Sequence, residues 1–254
     1  MKKSNLVLRR TMMGMAVLGS VLAGSPAVAQ EAEALLKKAD GMRNAGANTR
    51  TEISAKLIAK DGALIRERAY SVYSAGERKT LVVMRSSQES GQKVLMLDEQ
   101  FWLVLPGSTR ALRITPMQKL LGDAAVGDIA TSSWSQDYKI ESDAKELCEQ
   151  KPCVKLELRA LRPSATYQRI VLWVEHQSGR PLTADLFLQS DKLAKQARFV
   201  TGISNGSESV REMVMTDKLG NHRETRVTYG TATKKDVPKA WLNPMHLVGN
   251  TDIE

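Results

Sequence analysis

Apolar and polar residues alternate with a period of two over most of the chain between Arg50 and Tyr229. The first repeat is clear at 52–57, where Ile53, Ala55 and Leu57 alternate with glutamate, serine and lysine. This period places successive side chains on opposite faces of an extended chain, so it predicts β-strands. The strands are joined by short turns, and no regular alternation of strand and helix appears. We therefore predict a mainly β protein with an antiparallel sheet of about eleven strands.

A central segment, residues 92–130, is apolar on both faces of its predicted strands. It predicts a strand at Lys93–Leu97, a turn at Asp98–Glu99, a strand at Phe101–Leu105, a third strand ending near Ile114 and a short helix at Met117–Leu121. A sheet with water on one side would not need two apolar faces. Two interpretations stay open: a sheet buried in an ordinary core, and a hydrophobic hollow covered by a helical lid.

Two terminal segments are predicted to cover the sheet. Residues 31–43 have apolar side chains at 32, 35, 36, 39 and 42, which predicts an amphipathic helix. Such a stripe more often packs on its own sheet than on a membrane surface. Near the C-terminus, Pro238 and Pro244 bracket Trp241 and Leu242, so we predict a short helical turn that carries apolar side chains back to the sheet.

The first 29 residues have the features of a secretory signal peptide. Four basic residues and no acid precede a short apolar run, and Ala27-Val28-Ala29 supplies the small residues of a cleavage site. We expect cleavage after Ala29, which leaves residues 30–254 as a single exported domain. Arg9-Arg10 gives a weak twin-arginine signature, and the general secretory route is favoured.

The charge of the exported chain gives little support to a nucleic-acid partner. Removal of the leader takes away four basic residues and no acid, so the formal net charge falls from +9 to +5. The remaining bases are spread along the strands without a dense run interleaved with aromatic residues. We expect no nucleic-acid partner and a monomeric protein.

The chain has two cysteines, Cys148 and Cys153, separated by four residues. In an exported protein this spacing favours a disulfide that closes the end of a hairpin. A redox site more often has two intervening residues, and a zinc site needs further ligands nearby. The short loop predicts that the bond fixes the turn rather than adding much global stability.

No residue pattern predicts catalysis. His176, His222 and His246 are scattered without the spacing of a metal site, and Asp98, Glu99 and Asp123 fall in predicted turns, where solvated acids are common. The sequence has no nucleophile elbow, phosphate-binding glycine loop or dinucleotide fingerprint. We predict a protein that is not an enzyme and has no metal or cofactor.

Several motifs together resemble a known family, the LolA-like periplasmic proteins described as outer-membrane lipoprotein-sorting proteins. The matching positions are Val94-Leu95, Asp98-Glu99, Trp102, Pro106, Arg110, Arg113, Ile114, Leu120-Leu121-Gly122 and Asp128-Ile129. The resemblance extends in outline over residues 30–254. One departure is Asp123-Ala124-Ala125-Val126, which stands where a Ser-Phe-Ser type of segment is expected.

The resemblance implies a strongly curved antiparallel sheet, an incomplete β-barrel, with helices on its concave side. It implies a periplasmic carrier that takes the acyl chains of a lipoprotein or lipid from an inner-membrane ABC or RND-type transporter towards the outer membrane. The candidate head-group or partner contacts are Arg110 and Arg113. The candidate cavity residues are the apolar side chains Ile53, Leu57, Met84, Met96, Trp102, Val104, Leu156, Leu158, Leu172, Leu186, Met213 and Met215.

An alternative function is a periplasmic adaptor of the same kind of transporter that carries no cargo itself. The two hypotheses differ in one physical feature, because a carrier needs a hollow large enough for hydrocarbon and an adaptor does not. Flexible methionine side chains in the strands suit a hollow that accepts varied apolar ligands, and they also suit the filling of gaps in an ordinary core.

Overall fold

A computed structural model describes residues 26–76, 78–115, 133–220, 223–249 and 253. The predicted helix at 117–121 and the segment at 123–126 lie outside these ranges, as do residues 1–25 of the predicted leader. The first described element is the helix α1 (Pro26–Arg43), which begins before the expected cleavage site. None of the helices in the described ranges is long and apolar enough to cross a membrane.

Fourteen strands form one sheet, against the prediction of about eleven. Part of the difference is a two-residue strand at Thr233–Lys234, which is too short to give a pattern in the sequence. The strands are β1 (Thr49–Ile58), β2 (Leu64–Gly76), β3 (Lys79–Met84), β4 (Lys93–Leu97), β5 (Gln100–Val104), β6 (Leu112–Ile114), β7 (Tyr138–Cys148), β8 (Lys151–Ala160), β9 (Arg169–Glu175), β10 (Pro181–Phe187), β11 (Leu193–Ser204), β12 (Ser207–Asp217), β13 (Glu224–Tyr229) and β14 (Thr233–Lys234).

The sheet consists of two antiparallel meanders joined by one long-range pairing. The strand order is β6-β5-β4-β3-β2-β1-β13-β12-β11-β10-β9-β8-β7, and β14 pairs with the start of β1. The joint is the antiparallel pairing of β1 with β13, in which Ile53 lies opposite Tyr229. A sheet of this width curls strongly because every strand twists relative to its neighbour. The result is the open, curved antiparallel sheet that the sequence analysis expected.

The helix α1 covers the concave face of the sheet. Its buried side chains Ala32, Leu35, Leu36 and Ala39 follow helical spacing and join the main hydrophobic core. The short helix α2 (Trp134–Asp137) packs beside α1. The concave face is therefore covered by helices, as predicted.

The C-terminal segment covers the convex face of the first meander. It contains a 3-10 helix at Lys239–Leu242 and the helix α3 (Pro244–Gly249). The ring of Trp241 meets Tyr73 edge to face with centroids 5.2 Å apart, and Leu247 is fully buried. Arg85 fixes the end of the chain through a hydrogen bond of 2.7 Å to the carbonyl of Ile253. The two apolar faces of the central strands thus reflect a sheet that is buried on both sides.

Candidate functional site

A cavity of about 670 Å³ lies at one end of the curved sheet, under the C-terminal end of α1. Its walls come from the last turn of α1 and residues 44–47, from β1, β2 and the start of β3, and from the turn between β11 and β12. Small-molecule sites typically have volumes of about 300–1,000 Å³, so the cavity is large enough for a ligand.

The cavity has an apolar floor and a polar rim. Ile53 and Val72 line the floor from adjacent strands, with Met42, Val210 and Tyr229 beside them. Serine and threonine hydroxyls and six charged side chains surround this floor, and these six are Lys37, Asp40, Arg43, Arg78, Glu208 and Arg211. An apolar floor beneath a polar rim can accept an amphiphilic molecule, with its hydrocarbon inside and its head group at the rim.

Asp40 holds α1 and α2 together at the wall of the cavity. Its carboxylate accepts hydrogen bonds from the backbone N–H groups of Trp134, at 2.9 Å, and Ser135, at 3.0 Å. The hydroxyls of Ser133 and Ser135 also donate to it. Asp40 is almost fully buried, and these contacts cap the first turn of α2. A side chain of one helix therefore caps the other and fixes their relative positions.

Arg43 forms the next part of the wall, in the last turn of α1. Its guanidinium lies 3.8 Å from the ring centroid of Trp134, which in turn meets Phe199 edge to face. Its Nη1 atom is 3.8 Å from Asp40 Oδ1 but has no hydrogen-bond acceptor. Stacking on the indole therefore fixes the position of this cation near the cavity.

A network of ion pairs joins the two meanders beside the cavity. Arg78 precedes β3 and lies 3.6 Å from Asp137 of α2, which also accepts a hydrogen bond of 3.1 Å from Arg162. Arg162 also pairs with Glu99 of the β4–β5 turn, at 2.7 Å. Burial raises the pKa of the Asp137 carboxyl above its ordinary value, and the two guanidinium groups oppose that shift. The network links strands near opposite edges of the sheet.

The fold and this helix-covered concave face match known proteins. A LolA superfamily protein from Nitrosomonas europaea is 27% identical, with a TM-score of 0.76 over 84% of this chain and 97% of that chain. A family model described as "Uncharacterized protein" matches residues 76–247, more than half of the chain. By this similarity, the chain is a LolA-like protein.

Two further solved structures have the same fold. A DUF1329 family protein from Desulfovibrio piger gives a TM-score of 0.68 at 20% identity, over 86% of this chain and 98% of that one. An outer membrane lipoprotein-sorting protein domain from Vibrio parahaemolyticus gives a TM-score of 0.68 at 16% identity. The match covers 87% of this chain and 99% of that chain. No curated protein matches this LolA-like chain.

The predicted cavity residues of this LolA-like protein occupy three different environments. Nine belong to the packed core of the concave face, and of these Ile53 lines the cavity. Leu57 is buried on β1 outside that core cluster. Trp102 and Val104 lie on the convex face against the C-terminal segment. The nine core residues are Ile53, Met84, Met96, Leu156, Leu158, Leu172, Leu186, Met213 and Met215.

The register of one hairpin explains the position of Trp102. The turn between β4 and β5 pairs Met96 with Phe101 and Leu95 with Trp102. Directly opposed residues share a face of the sheet, so Trp102 cannot share the concave face with Met96. The expectation that Trp102 and Val104 line the same cavity as Met96 is therefore wrong.

The predicted head-group arginines lie away from the cavity. Arg113 lies on the edge strand β6 opposite Trp102, and Arg110 lies in the preceding turn, where both are exposed. Neither is among the residues that line the cavity. Their role in contacting a head group or a partner stays a prediction.

Sequence reasoning missed the polar residues that do line the cavity. Asp40 sits on the apolar side of α1, between Ala39 and Arg43, and a buried acid in an amphipathic stripe is a usable signal. Arg78 sits in the turn before β3 and Arg211 in β12, each next to other charged residues, so their sequence context does not distinguish them from solvated residues.

The predicted disulfide is confirmed. Cys148 and Cys153 are bonded, with their Cα atoms 5.8 Å apart. The bond closes the β7–β8 hairpin, whose turn residues Glu149 and Gln150 both have positive φ angles, of 48° and 67°. Two positive φ angles are typical of a tight type I′ turn. The bond lies away from the cavity and has a structural role.

Proposed function

We propose that this LolA-like protein is a periplasmic carrier that holds an acyl chain of a lipid or lipoprotein in the cavity under the C-terminal end of α1. The observation that carries the proposal is the cavity itself, about 670 Å³ with Ile53 and Val72 in its floor. A carrier must shelter hydrocarbon from water, and the curved sheet leaves space for it at this end.

The energetics of such a site suit reversible transport. Each buried methylene contributes about 0.8 kcal/mol, so a chain that is partly inserted in the cavity can be held without a covalent bond. The packed core, which includes the nine residues named above, fills the rest of the concave face, so a longer chain requires movement of α1. Displacement of a packed helix offsets part of the binding energy and keeps release possible.

The contacts that hold α1 on the sheet support its role as a movable cover of the cavity. Two leucines and two alanines form its buried stripe, and Asp40 and Lys38 add polar contacts at its sides. Burial of a leucine contributes about 1.5–3 kcal/mol, so the helix is held firmly but by few side chains.

The names of the similar proteins support a role in lipoprotein transport. One relative is named a LolA superfamily protein, and a structure with the same fold is described as an outer membrane lipoprotein-sorting domain. By extension, we infer an exported protein that receives cargo from an inner-membrane ABC or RND-type transporter and moves it towards the outer membrane. The inferred activity is binding and transfer rather than catalysis.

The proposal is tested by filling the floor of the cavity. Val72→Trp places a large ring where the acyl chain would lie, and we expect it to weaken the binding of a neutral pyrene-labelled monoacylglycerol at least tenfold in a fluorescence titration. Overpacking of this site costs about 1–3 kcal/mol of stability, so thermal unfolding of the variant is measured alongside.

The matched control is Leu147→Trp, at an exposed position on the β7–β8 hairpin. It adds the same ring without entering the cavity, and we expect wild-type binding. Lack of probe binding by the wild-type protein would contradict the carrier, and so would equal binding by both folded variants.

A further inference from the structure

The charged residues of the cavity are mostly basic. Four bases, Lys37, Arg43, Arg78 and Arg211, line it together with two acids, Asp40 and Glu208. This excess of positive charge surrounds a floor made of apolar side chains. The chemistry of the rim therefore selects among amphiphiles by the charge of their head groups.

The two acids already have hydrogen-bond donors. Asp40 caps α2 through the contacts described above. Glu208 accepts a hydrogen bond of 2.8 Å from the hydroxyl of Thr201, and the same Oε1 atom lies 3.4 Å from Arg180 Nη1. Of the four bases, only Arg43 has a described ion pair with either of these carboxylates, at 3.8 Å from Asp40 Oδ1.

The bases, by contrast, have few or no acidic partners. Within the described part of the chain Lys37 makes no hydrogen bond or ion pair. Arg211 donates only from Nη1, to the hydroxyl of Ser204 at 3.1 Å and the carbonyl of Gly230 at 3.3 Å, and no described carboxylate pairs with it. Arg78 shares its one acid, Asp137, with Arg162.

Arg211 is also held in place before any ligand arrives. Its two hydrogen bonds tie β12 to the last residue of β11 and to the residue that follows β13. Its stem passes close to Gly202, where an added Cβ would lie 3.1 Å from Arg211 Cγ. A preorganised guanidinium loses little conformational entropy on binding an anion.

The dipole of α1 reduces the positive potential of the cavity rim only in part. The C-terminal end of a helix carries a partial negative charge, which disfavours an anion nearby. Arg43 and Lys37 lie in the last two turns of α1 and offset it. Arg211 has no described carboxylate partner, and Arg78 shares its one acid, Asp137, with Arg162. The positive charge of these two side chains on the opposite wall then decides the sign at the cavity.

The geometry points to an amphiphile with an anionic head group, a carboxylate or a phosphate, as the ligand, with Arg211 as its principal contact and Arg78 as a second one. This inference rests on the proposed carrier function and names the class of its cargo. A guanidinium matches both head groups through paired hydrogen bonds. The acyl chain lies on the floor formed by Ile53 and Val72.

The test compares three ligands with the same palmitoyl or hexadecyl chain: palmitate, hexadecyl phosphate and the neutral monopalmitoylglycerol. Dissociation constants are measured below the micelle concentration for the full-length exported protein. We expect at least one anionic ligand to bind tenfold or more tightly than the neutral one. The preference should fall at high salt, and the two anions distinguish a carboxylate from a phosphate site.

Arg211→Gln removes the principal contact and should reduce the preference for the anion at least fivefold, with the affinity for the neutral ligand unchanged. Arg198→Gln is the matched control, because it removes the same charge from the adjacent strand β11 outside the cavity. It should leave the preference unchanged. If Arg211→Gln does not fold, Arg78→Gln is measured in the same way, with the same expected direction.

The outcomes separate the inference from the carrier function. Binding of the neutral and anionic ligands with equal affinity, or a preference that survives Arg211→Gln, overturns the head-group site and leaves the carrier standing. Failure of all three ligands to bind the wild-type protein overturns the carrier function itself.

Discussion

Asp40 shows how one buried polar residue organises the helices above the sheet. Its carboxylate accepts the first backbone N–H groups of α2 and two serine hydroxyls, all from elements more than ninety positions away in the sequence. Groups of this kind must find a partner when they are buried, because each costs about 1–3 kcal/mol when left unpaired.

We predict that Asp40→Ala destabilises the protein by about 1–3 kcal/mol, since the cap of α2 and the hydroxyls of Ser133 and Ser135 lose their acceptor. Urea unfolding measures the change. Asp236→Ala, at an exposed position, is the control and should change stability by less than about 0.5 kcal/mol. Equal stability of the two variants would show that α2 does not depend on Asp40.

At the scale of elements, α1 docks against the turn between β9 and β10. Gly179 in this turn has a φ of +74°, and a Cβ there would lie 2.7 Å from Lys38 Cβ and 3.2 Å from the carbonyl oxygen of Leu35. The close approach of helix and turn therefore requires a glycine.

Gly179→Ala should push α1 away from the sheet. We expect a loss of about 1–3 kcal/mol and faster amide hydrogen exchange in residues 31–43. Gly107→Ala is the matched control, because Gly107 has a φ of +70° and no atom within 4 Å of an added Cβ. The control has the same backbone strain without the contact, so unchanged exchange in α1 for both variants would contradict the docking described here.

The elements also show what the sequence could and could not predict. Alternation predicted the strands, and the two-residue turn at Asp98–Glu99 contained enough information to pair Met96 with Phe101 and so to place Trp102 on the convex face. No local sequence pattern indicated that β1 pairs with β13, or that Arg78 forms an ion pair with Asp137. They depend on how far the sheet curls, which is a property of all fourteen strands together.

At the scale of the whole molecule, the curved sheet has a filled middle and an open end. Helix α1 packs tightly on the concave core, and the cavity remains where its last turn passes over β1 and β2. The ion pairs of Asp137 and Arg162 join the two meanders beside it. In the proposed carrier, shelter for hydrocarbon depends on this gap between helix and sheet, which a tighter fold would have closed.

The most direct measurement of the central claim is native mass spectrometry of the wild-type protein, exported to the periplasm and purified without detergent. We expect a bound species that is released on unfolding and whose fragments contain an acyl chain, or the uptake of such a species after incubation with phospholipid vesicles. A protein that keeps the bare mass of its chain under both conditions would contradict it.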